Sequence, residues 1–167
     1  MGVSMNQTRK RQQPPAPLEE GSPLGNSIGY QARISYRLLE KYIQSALVEH
    51  NIQIGMWYFL RVLWIEDGLT QRELSRRVGM AEPSVLEQLR KMEARGVVAR
   101  RRSNGDRRKS LVVLTPEGRS LEKALLEYVD ELNAVAFAGF SDGEVNLLRE
   151  LLDRLCRNVR HASEIKN

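Results

Sequence analysis

The chain has little cysteine and little histidine: Cys156, His50 and His161 are the only such residues among 167. One cysteine excludes an internal disulfide and fits a reducing compartment. Because these three residues are widely separated, we expect no His/Cys metal site and no cofactor. An enzyme would need a nucleophile and a base clustered together, and neither histidine belongs to such a cluster in the sequence. These absences argue against a metalloprotein and against an enzyme.

Long apolar runs are also missing. No run approaches the roughly 18 residues of a membrane span, so we expect no membrane partner. The basic residues Arg9, Lys10 and Arg11 are not followed by an apolar stretch, so we expect no secretory signal. The expected location is the cytoplasm, with association to the nucleoid when DNA is bound.

Positive charge is abundant and uneven. The chain has 26 Lys and Arg against 21 Asp and Glu, a formal net charge of +5 and a sequence pI of about 9.6. Residues 95–109 hold seven of the cations and one Asp. This balance favours an anionic partner such as nucleic acid.

The segment from Val97 to Thr115 has the pattern of a β-hairpin. Two arms rich in β-branched residues flank a loop at 103–106 that holds Ser, Asn, Gly and Asp. Cations crowd the tip and its shoulders and would repel one another unless they met a polyanion. They are Arg100, Arg101, Arg102, Arg107, Arg108 and Lys109.

Two short helices are predicted upstream of this hairpin. Thr70 and Glu73 form a capping-box pattern that opens the first, and Gly79 supplies the turn after it. The second runs from Glu82 to Ala94, with Pro83 in its first turn. Helix, turn, helix and basic hairpin are together the parts of a winged helix that reads DNA.

The helix from Glu82 to Ala94 has the dimensions to enter a major groove. Val85, Leu89 and Met92 form its inward stripe. The residues expected to face the DNA are Ser84, Glu87, Gln88 and Lys91, the first three at base edges and the lysine at phosphates.

The hairpin is predicted to act as a wing in the minor groove. Asp106 stands two residues before Arg108 and can orient that guanidinium through a charge-assisted pair. A narrow A·T-rich minor groove attracts such an arginine. The neighbours expected to contact phosphates are Arg101, Arg102, Arg107 and Lys109, so binding should weaken steeply with salt.

Helices with broad apolar faces are predicted on both sides of the winged helix. They cover Ile28 to Val48, Ile54 to Ile65, Pro116 to about Ala138, and a final helix opened by Ser141. A two-fold dimer would bury these faces and present two recognition helices about 34 Å apart. Four segments result: a disordered tail at 1–26, an N-terminal dimerisation helix at 27–52, a winged helix-turn-helix at 53–115 and C-terminal dimerisation helices at 116–167.

The stretch from Leu74 to Arg100, with Asp106-Arg-Arg-Lys and Leu111-Val-Val-Leu-Thr after it, resembles the MarR (multiple antibiotic resistance regulator) family. The resemblance covers about residues 28–161. It implies a mainly α fold with a β-hairpin wing, and a homodimer that represses transcription from pseudo-palindromic operators in double-stranded DNA. It places Ser84, Val85 and Glu87 on the recognition helix and Asp106 and Arg108 on the wing.

Two positions depart from the family pattern. Glu87 stands where many members carry a neutral or basic residue, so the sequence preference is expected to be unusual. Ala81 stands where Ser or Thr normally caps the recognition helix, a loss of about 1 kcal/mol.

The resemblance also implies relief by a small aromatic ligand, an aromatic acid or its thioester. Aromatic and basic residues of the first two helices could line such a pocket. The candidates are Tyr30, Arg33, Tyr36, Arg37, Trp57, Tyr58, Arg61 and Trp64. The alternative is that these aromatics are ordinary core.

Two other functions remain open at this point. A non-specific architectural protein would bind random duplex as well as any operator. A thiol-based sensor would use Cys156, which the helical spacing places beside Leu152, Leu155 and Val159, where burial would make it inert. The operator, the target genes, the effector and the sign of regulation are not specified by the sequence.

Overall fold

The computed structural model describes residues 27–102, 105 and 109–165. The tail predicted for residues 1–26 lies outside this range. The chain divides into two compact units, Met1–Glu40 and Lys41–Asn167. The elements, in chain order, are α1 (Ile28–Glu49), α2 (Ile54–Ile65), β1 (Leu69–Thr70), α3 (Gln71–Val78), α4 (Glu82–Ala94), β2 (Val98–Arg102), β3 (Ser110–Leu114), α5 (Pro116–Ala136) and α6 (Asp142–Ile165).

Local signals in the sequence set the bounds of α3. Thr70 Oγ1 accepts from the Glu73 backbone N–H at 3.3 Å, and Glu73 Oε2 accepts from the Thr70 N–H at 2.7 Å. The Thr70 hydroxyl also donates to Glu73 Oε2 at 2.7 Å, and this bond, followed by the one from the Thr70 N–H, lowers the pKa of Glu73. Gly79 ends the helix at a φ of 69°, in the left-handed region. The predicted capping box and glycine turn are both confirmed.

The start of α4 is also as the sequence predicts. Pro83 lies in its first turn, and Ala81 at the N-cap makes no side-chain cap bond. The helix therefore begins without the usual cap and depends on packing of its inner face.

Three strands form one small antiparallel sheet. The predicted hairpin pairs β2 with β3, in the register Val98 with Leu114. A third strand, β1, pairs with the other side of β3 and was not predicted. With only two residues, β1 is too short to show a period-2 pattern.

The core of the second unit lies between α2, α3, α4, the sheet and the start of α5. The predicted inward stripe of α4, Val85, Leu89 and Met92, is fully buried there. It packs with apolar side chains from the neighbouring elements. These include Phe59, Leu60, Leu63, Leu74, Val97, Val112, Leu121 and Leu125.

The apolar stripe of α6 stays exposed in the single chain. Leu151, Leu152, Leu155 and Val159 are each exposed by 43 to 59%. The apolar arc predicted on the first helix is divided, since Ile43 and Leu47 are buried whereas Leu38, Leu39 and Tyr42 are exposed. Within the described residues, no helix is long and apolar enough to cross a membrane.

Candidate nucleic-acid interface

The outward face of α4 presents Ser84, Glu87 and Lys91, all exposed. Lys91 Nζ lies 2.7 Å from Glu87 Oε1, one helical turn away. This hydrogen bond from Lys91, together with its positive charge, lowers the pKa of Glu87. Glu87 is therefore a carboxylate at neutral pH, and Lys91 partly neutralises it in the DNA-free protein.

Gln88 does not take the outward position that the sequence analysis assigned to it. It is only partly exposed, and its Oε1 is buried without a hydrogen-bond partner among the described groups. A Cβ added at Gly55 would lie 3.0 Å from both Oε1 and Nε2 of this amide. The side chain therefore packs inward, against the first turn of α2.

The sequence contained a signal for this orientation. At 3.6 residues per turn, position 88 lies about 60° from Val85 around α4, on the side of Met92. Gln88 is thus at the edge of the buried stripe, and Gly55 leaves room for its amide.

The wing is joined to the end of α4 by an ion pair. Arg100 Nε lies 2.8 Å from Glu93 Oε1, and both side chains are about one-third exposed. Of the expected contacts, Arg101 and Arg102 on β2 and Lys109 before β3 are exposed. Neither arginine forms an ion pair with a described residue. The predicted wing residues Asp106, Arg107 and Arg108 lie outside the described residues.

Two basic residues of α3 were missed by the sequence analysis. Arg72 and Arg76 are exposed one helical turn apart, and only Leu74 of this helix is fully buried. Thr70, at the start of α3, pairs with Leu111 of β3, so the base of the wing lies near the start of α3. The spacing of the two arginines was the available signal, since residues four apart share a helix face.

The aromatic residues of α2 pack in the core of the second unit. Trp57 is 6% exposed and contacts Trp64 edge to face, with ring centroids 5.8 Å apart. Trp64 Nε1 donates to the Gly118 carbonyl at 2.9 Å. The two tryptophans thus follow the core alternative rather than the pocket prediction.

Arg61 differs from these two aromatics. Its guanidinium carbon lies 5.5 Å from the centre of the Trp57 ring, and no carboxylate of the described residues pairs with it. Tyr58, also on α2, is partly exposed and packs against the core. An arginine over an aromatic face can accept an anion while keeping its cation–π contact.

The remaining predicted ligand residues belong to the first unit. Tyr30 and Arg37 are partly exposed, whereas Arg33 is exposed. Tyr36 donates to Glu40 on the same helix. Within the second unit, an open hollow of about 260 Å³ lies at the turn between α1 and α2, and none of the predicted ligand residues lines it.

Cys156 is exposed on α6. The sequence analysis expected burial among leucines, but in the single chain these leucines are themselves exposed. The difference arises because α6 has no partner for its apolar stripe within the described chain.

Comparison with known proteins finds a family model that matches part of the chain. The family model for MarR matches residues 54–110, which hold α2, the helix-turn-helix and the first arm of the wing, and which end at the start of β3. Over these residues, about a third of the chain, the protein is similar to the MarR family. The curated relatives and several of the solved structures that the chain matches are transcriptional regulators, which agrees with the expectation of a regulator rather than an enzyme.

One curated relative is an uncharacterised HTH-type transcriptional regulator of Bacillus subtilis. It is 29% identical over 102 residues, 61% of this chain. The chain spans about three fifths of that relative, since the match covers 62% of its length.

Two solved structures extend the likeness beyond the family match. A MarR transcriptional regulator from Methanosarcina mazei Go1 is 28% identical with a TM-score of 0.72, over 80% of this chain and 96% of the other. CouR from Rhodococcus jostii RHA1, solved with p-coumaroyl-CoA, is 25% identical with a TM-score of 0.73, over 80% and 94%. The predicted mainly α winged helix-turn-helix is therefore confirmed as the fold.

Proposed function

We propose that this protein, whose winged helix-turn-helix is similar to the MarR family, binds a specific pseudo-palindromic operator in double-stranded DNA as a homodimer and represses transcription. One observation carries the proposal. The exposed face of α4 and the basic strand β2 belong to one compact unit, and the Glu93–Arg100 ion pair fixes the strand to the helix. Base-reading and backbone-contacting groups thus hold a fixed relation to each other.

In this proposal α4 enters the major groove, with Ser84 and Glu87 at base edges. A carboxylate beside phosphates is costly unless it accepts a hydrogen bond, and cytosine N4 is the donor that the major groove offers. Glu87 would release Lys91 to a phosphate when it accepts from the base. We therefore propose that Glu87 selects for cytosine in each half-site.

Electrostatic contact comes from the wing and from α3. We propose phosphate contacts for Arg101, Arg102 and Lys109, and for Arg72 and Arg76 at the start of the helix-turn-helix. The sequence-based assignment of Asp106 and Arg108 to the minor groove, with Arg107 beside them on a phosphate, belongs to the same proposal. Each neutralised phosphate adds about 0.9 to the slope of log affinity against log salt.

The exposed leucine stripe of α6 supports the dimer. A monomer rarely leaves a row of apolar side chains along a whole helix in water. A second copy of the chain would cover this stripe and bring two recognition helices to one face of the duplex.

Arg61 supports a response to an effector. The proposal assigns it an anionic aromatic ligand whose carboxylate pairs with the guanidinium, with Tyr58 beside it. Such a ligand would release DNA only if it bound the DNA-free arrangement more tightly than the DNA-bound one. Thermal-shift screening of aromatic acids and their thioesters against wild type and Arg61→Gln tests this part. A flat response in wild type, with DNA binding intact, would contradict it.

The experiment for the whole proposal is recovery of fragmented source DNA by the purified protein. We expect a few loci that share a pseudo-palindrome of about 16–20 base pairs, as half-sites one turn apart require. Arg102→Ala should weaken binding at every site and lower the salt slope by about one. Lys123→Ala is the matched control, since it removes an exposed cation from α5. Recovery without a shared sequence would favour the architectural alternative.

A further inference from the structure

The last turn of the recognition helix is joined to two distant parts of the chain by a single side chain, Arg95. Its Nε donates to the Asn51 carbonyl and its Nη2 to the His50 carbonyl, both at 3.3 Å. Nη1 and Nη2 both lie 3.3 Å from Glu117 Oε1. One guanidinium, on the C-cap residue of α4, therefore connects the end of that helix to the turn after α1 and to the first turn of α5.

Among the described residues, Arg95 is the side chain that donates to the His50 and Asn51 carbonyls in the turn between α1 and α2. Helix ends leave carbonyl oxygens without intrahelical partners and carry partial negative charge. Asn51 has a φ of 55° there, the only positive φ of a non-glycine among the described residues. A planar guanidinium with five N–H donors can serve several such acceptors at once.

The Arg95 side chain is also less exposed than an ordinary surface arginine, at 24%. Its position at the end of α4 is opposite to the N-terminal residues that would meet base edges. This location argues against a phosphate contact and for an internal one.

The first turn of α5 holds two further junctions beside Glu117. The Gly118 carbonyl accepts from Trp64 of α2, and Arg119 pairs with Asp67 before β1. The turn is thus bonded to the DNA-binding elements on several sides. The bonds of Arg95 to Glu117 join the end of the recognition helix to this same turn.

We infer that Arg95 is a positioning residue that fixes the recognition helix to the α1–α2 turn and to the start of α5. In the proposed dimer it thereby sets the distance and rotation between the two recognition helices. The inference rests on the proposed function for its DNA consequence. The three-way contact itself can be tested without DNA.

The test without DNA is hydrogen exchange of the intact protein. The Ile52 N–H donates to the Leu47 carbonyl at 2.7 Å, so its exchange reports on the order of the turn. Arg95→Ala should accelerate exchange at Ile52 at least tenfold. Arg119→Ala, which removes an ion pair from the same turn of α5, should leave it unchanged. Unchanged exchange in Arg95→Ala would overturn the inference whatever the protein binds.

The test with DNA uses operators whose half-sites are moved by one base pair in either direction. Since an extra base pair adds about 3.4 Å and a tenth of a turn, wild type should lose about tenfold or more in affinity. Arg95→Ala should lose less than about threefold in affinity when the spacing is changed in the same way, because its recognition helices are no longer fixed relative to each other. A merely structural role would lower affinity for all spacings alike, and that result would overturn the inference.

Salt dependence and a second variant complete the design. A direct phosphate contact would lower the salt slope by about one in Arg95→Ala, which would also overturn the inference. If Arg95→Ala fails to fold, Glu117→Gln keeps the side-chain size and an acceptor oxygen but removes the charge. Glu117→Gln should also reduce the loss of affinity that follows a change in half-site spacing. A loss as large as that of wild type would contradict the inference.

Discussion

Replacing Gln88 by Met should stabilise the protein while leaving its DNA preference intact. The Gln88 Oε1 is buried and has no partner among the described groups, and its amide lies against Gly55. Methionine has a similar length and helix propensity but carries no oxygen that needs a hydrogen bond. The substitution therefore removes an unfavourable burial and keeps the packing.

The size of the effect follows from the cost of the orphan acceptor. A buried polar group without a partner costs about 1–3 kcal/mol, and replacing it by an apolar group of the same shape can recover part of this. Imperfect fit of the thioether reduces the gain. We expect the free energy of unfolding to rise by about 1 kcal/mol, or Tm by about 2–4 °C for a chain of this length.

Denaturant and thermal unfolding measure the change, at one protein concentration because the stability of the proposed dimer would depend on concentration. Gln44→Met, an exposed change on α1, is the control and should stay within about 0.5 kcal/mol of wild type. Selection of binding sites from a random library should give the same consensus for Gln88→Met and wild type. A fall of 1 kcal/mol or more in the free energy of unfolding would refute the packing argument. A changed base preference would indicate that Gln88 contacts DNA after all.

Three further predictions concern packing, assembly and pH. A Cβ at Gly118 would lie 2.1 Å from the Val97 carbonyl oxygen. Gly118→Ala should therefore lower the free energy of unfolding by about 3 kcal/mol, measured by denaturant unfolding. An unchanged free energy of unfolding would contradict the close approach of these two backbone segments. Leu151→Asp should give a monomer in sedimentation and only weak half-site binding, whereas a stable dimer would exclude α6 from the interface. Thr70→Val should raise the pKa of Glu73 in an NMR titration. Because the wild-type pKa is lowered, the cap's contribution is present at neutral pH and is lost as pH falls through that pKa; an unchanged pKa would refute the capping box as its cause.

Much of the fold could be predicted because its determinants are local. The Thr70 capping box, the Gly79 turn and the stripe of Val85, Leu89 and Met92 each depend on residues within one or two turns. Strand β1 could not be predicted, since its two residues are ordered by pairing with β3 from more than 40 positions away. Asp67 assists this pairing by accepting from the Leu114 N–H at 2.9 Å.

The candidate site was predictable in composition but not in detail. Periodicity identified the outward face of α4, and the residue count identified the basic wing. Whether a given charged side chain is free to contact DNA depends on its ion pairs in the folded chain, as the pair between Arg100 and Glu93 illustrates. The three-way contact of Arg95 joins residues 22 to 45 positions apart, and no local pattern encodes it.

The most direct test of the account is the ratio of two dissociation constants at about 0.15 M salt. One is for the operator recovered from source DNA, and the other is for a scrambled duplex of the same length. A specific regulator that reads bases through Ser84 and Glu87 should bind the operator about 10³-fold or more tightly. A ratio near one, with a steep salt slope on both duplexes, would contradict sequence-specific recognition and leave only electrostatic binding.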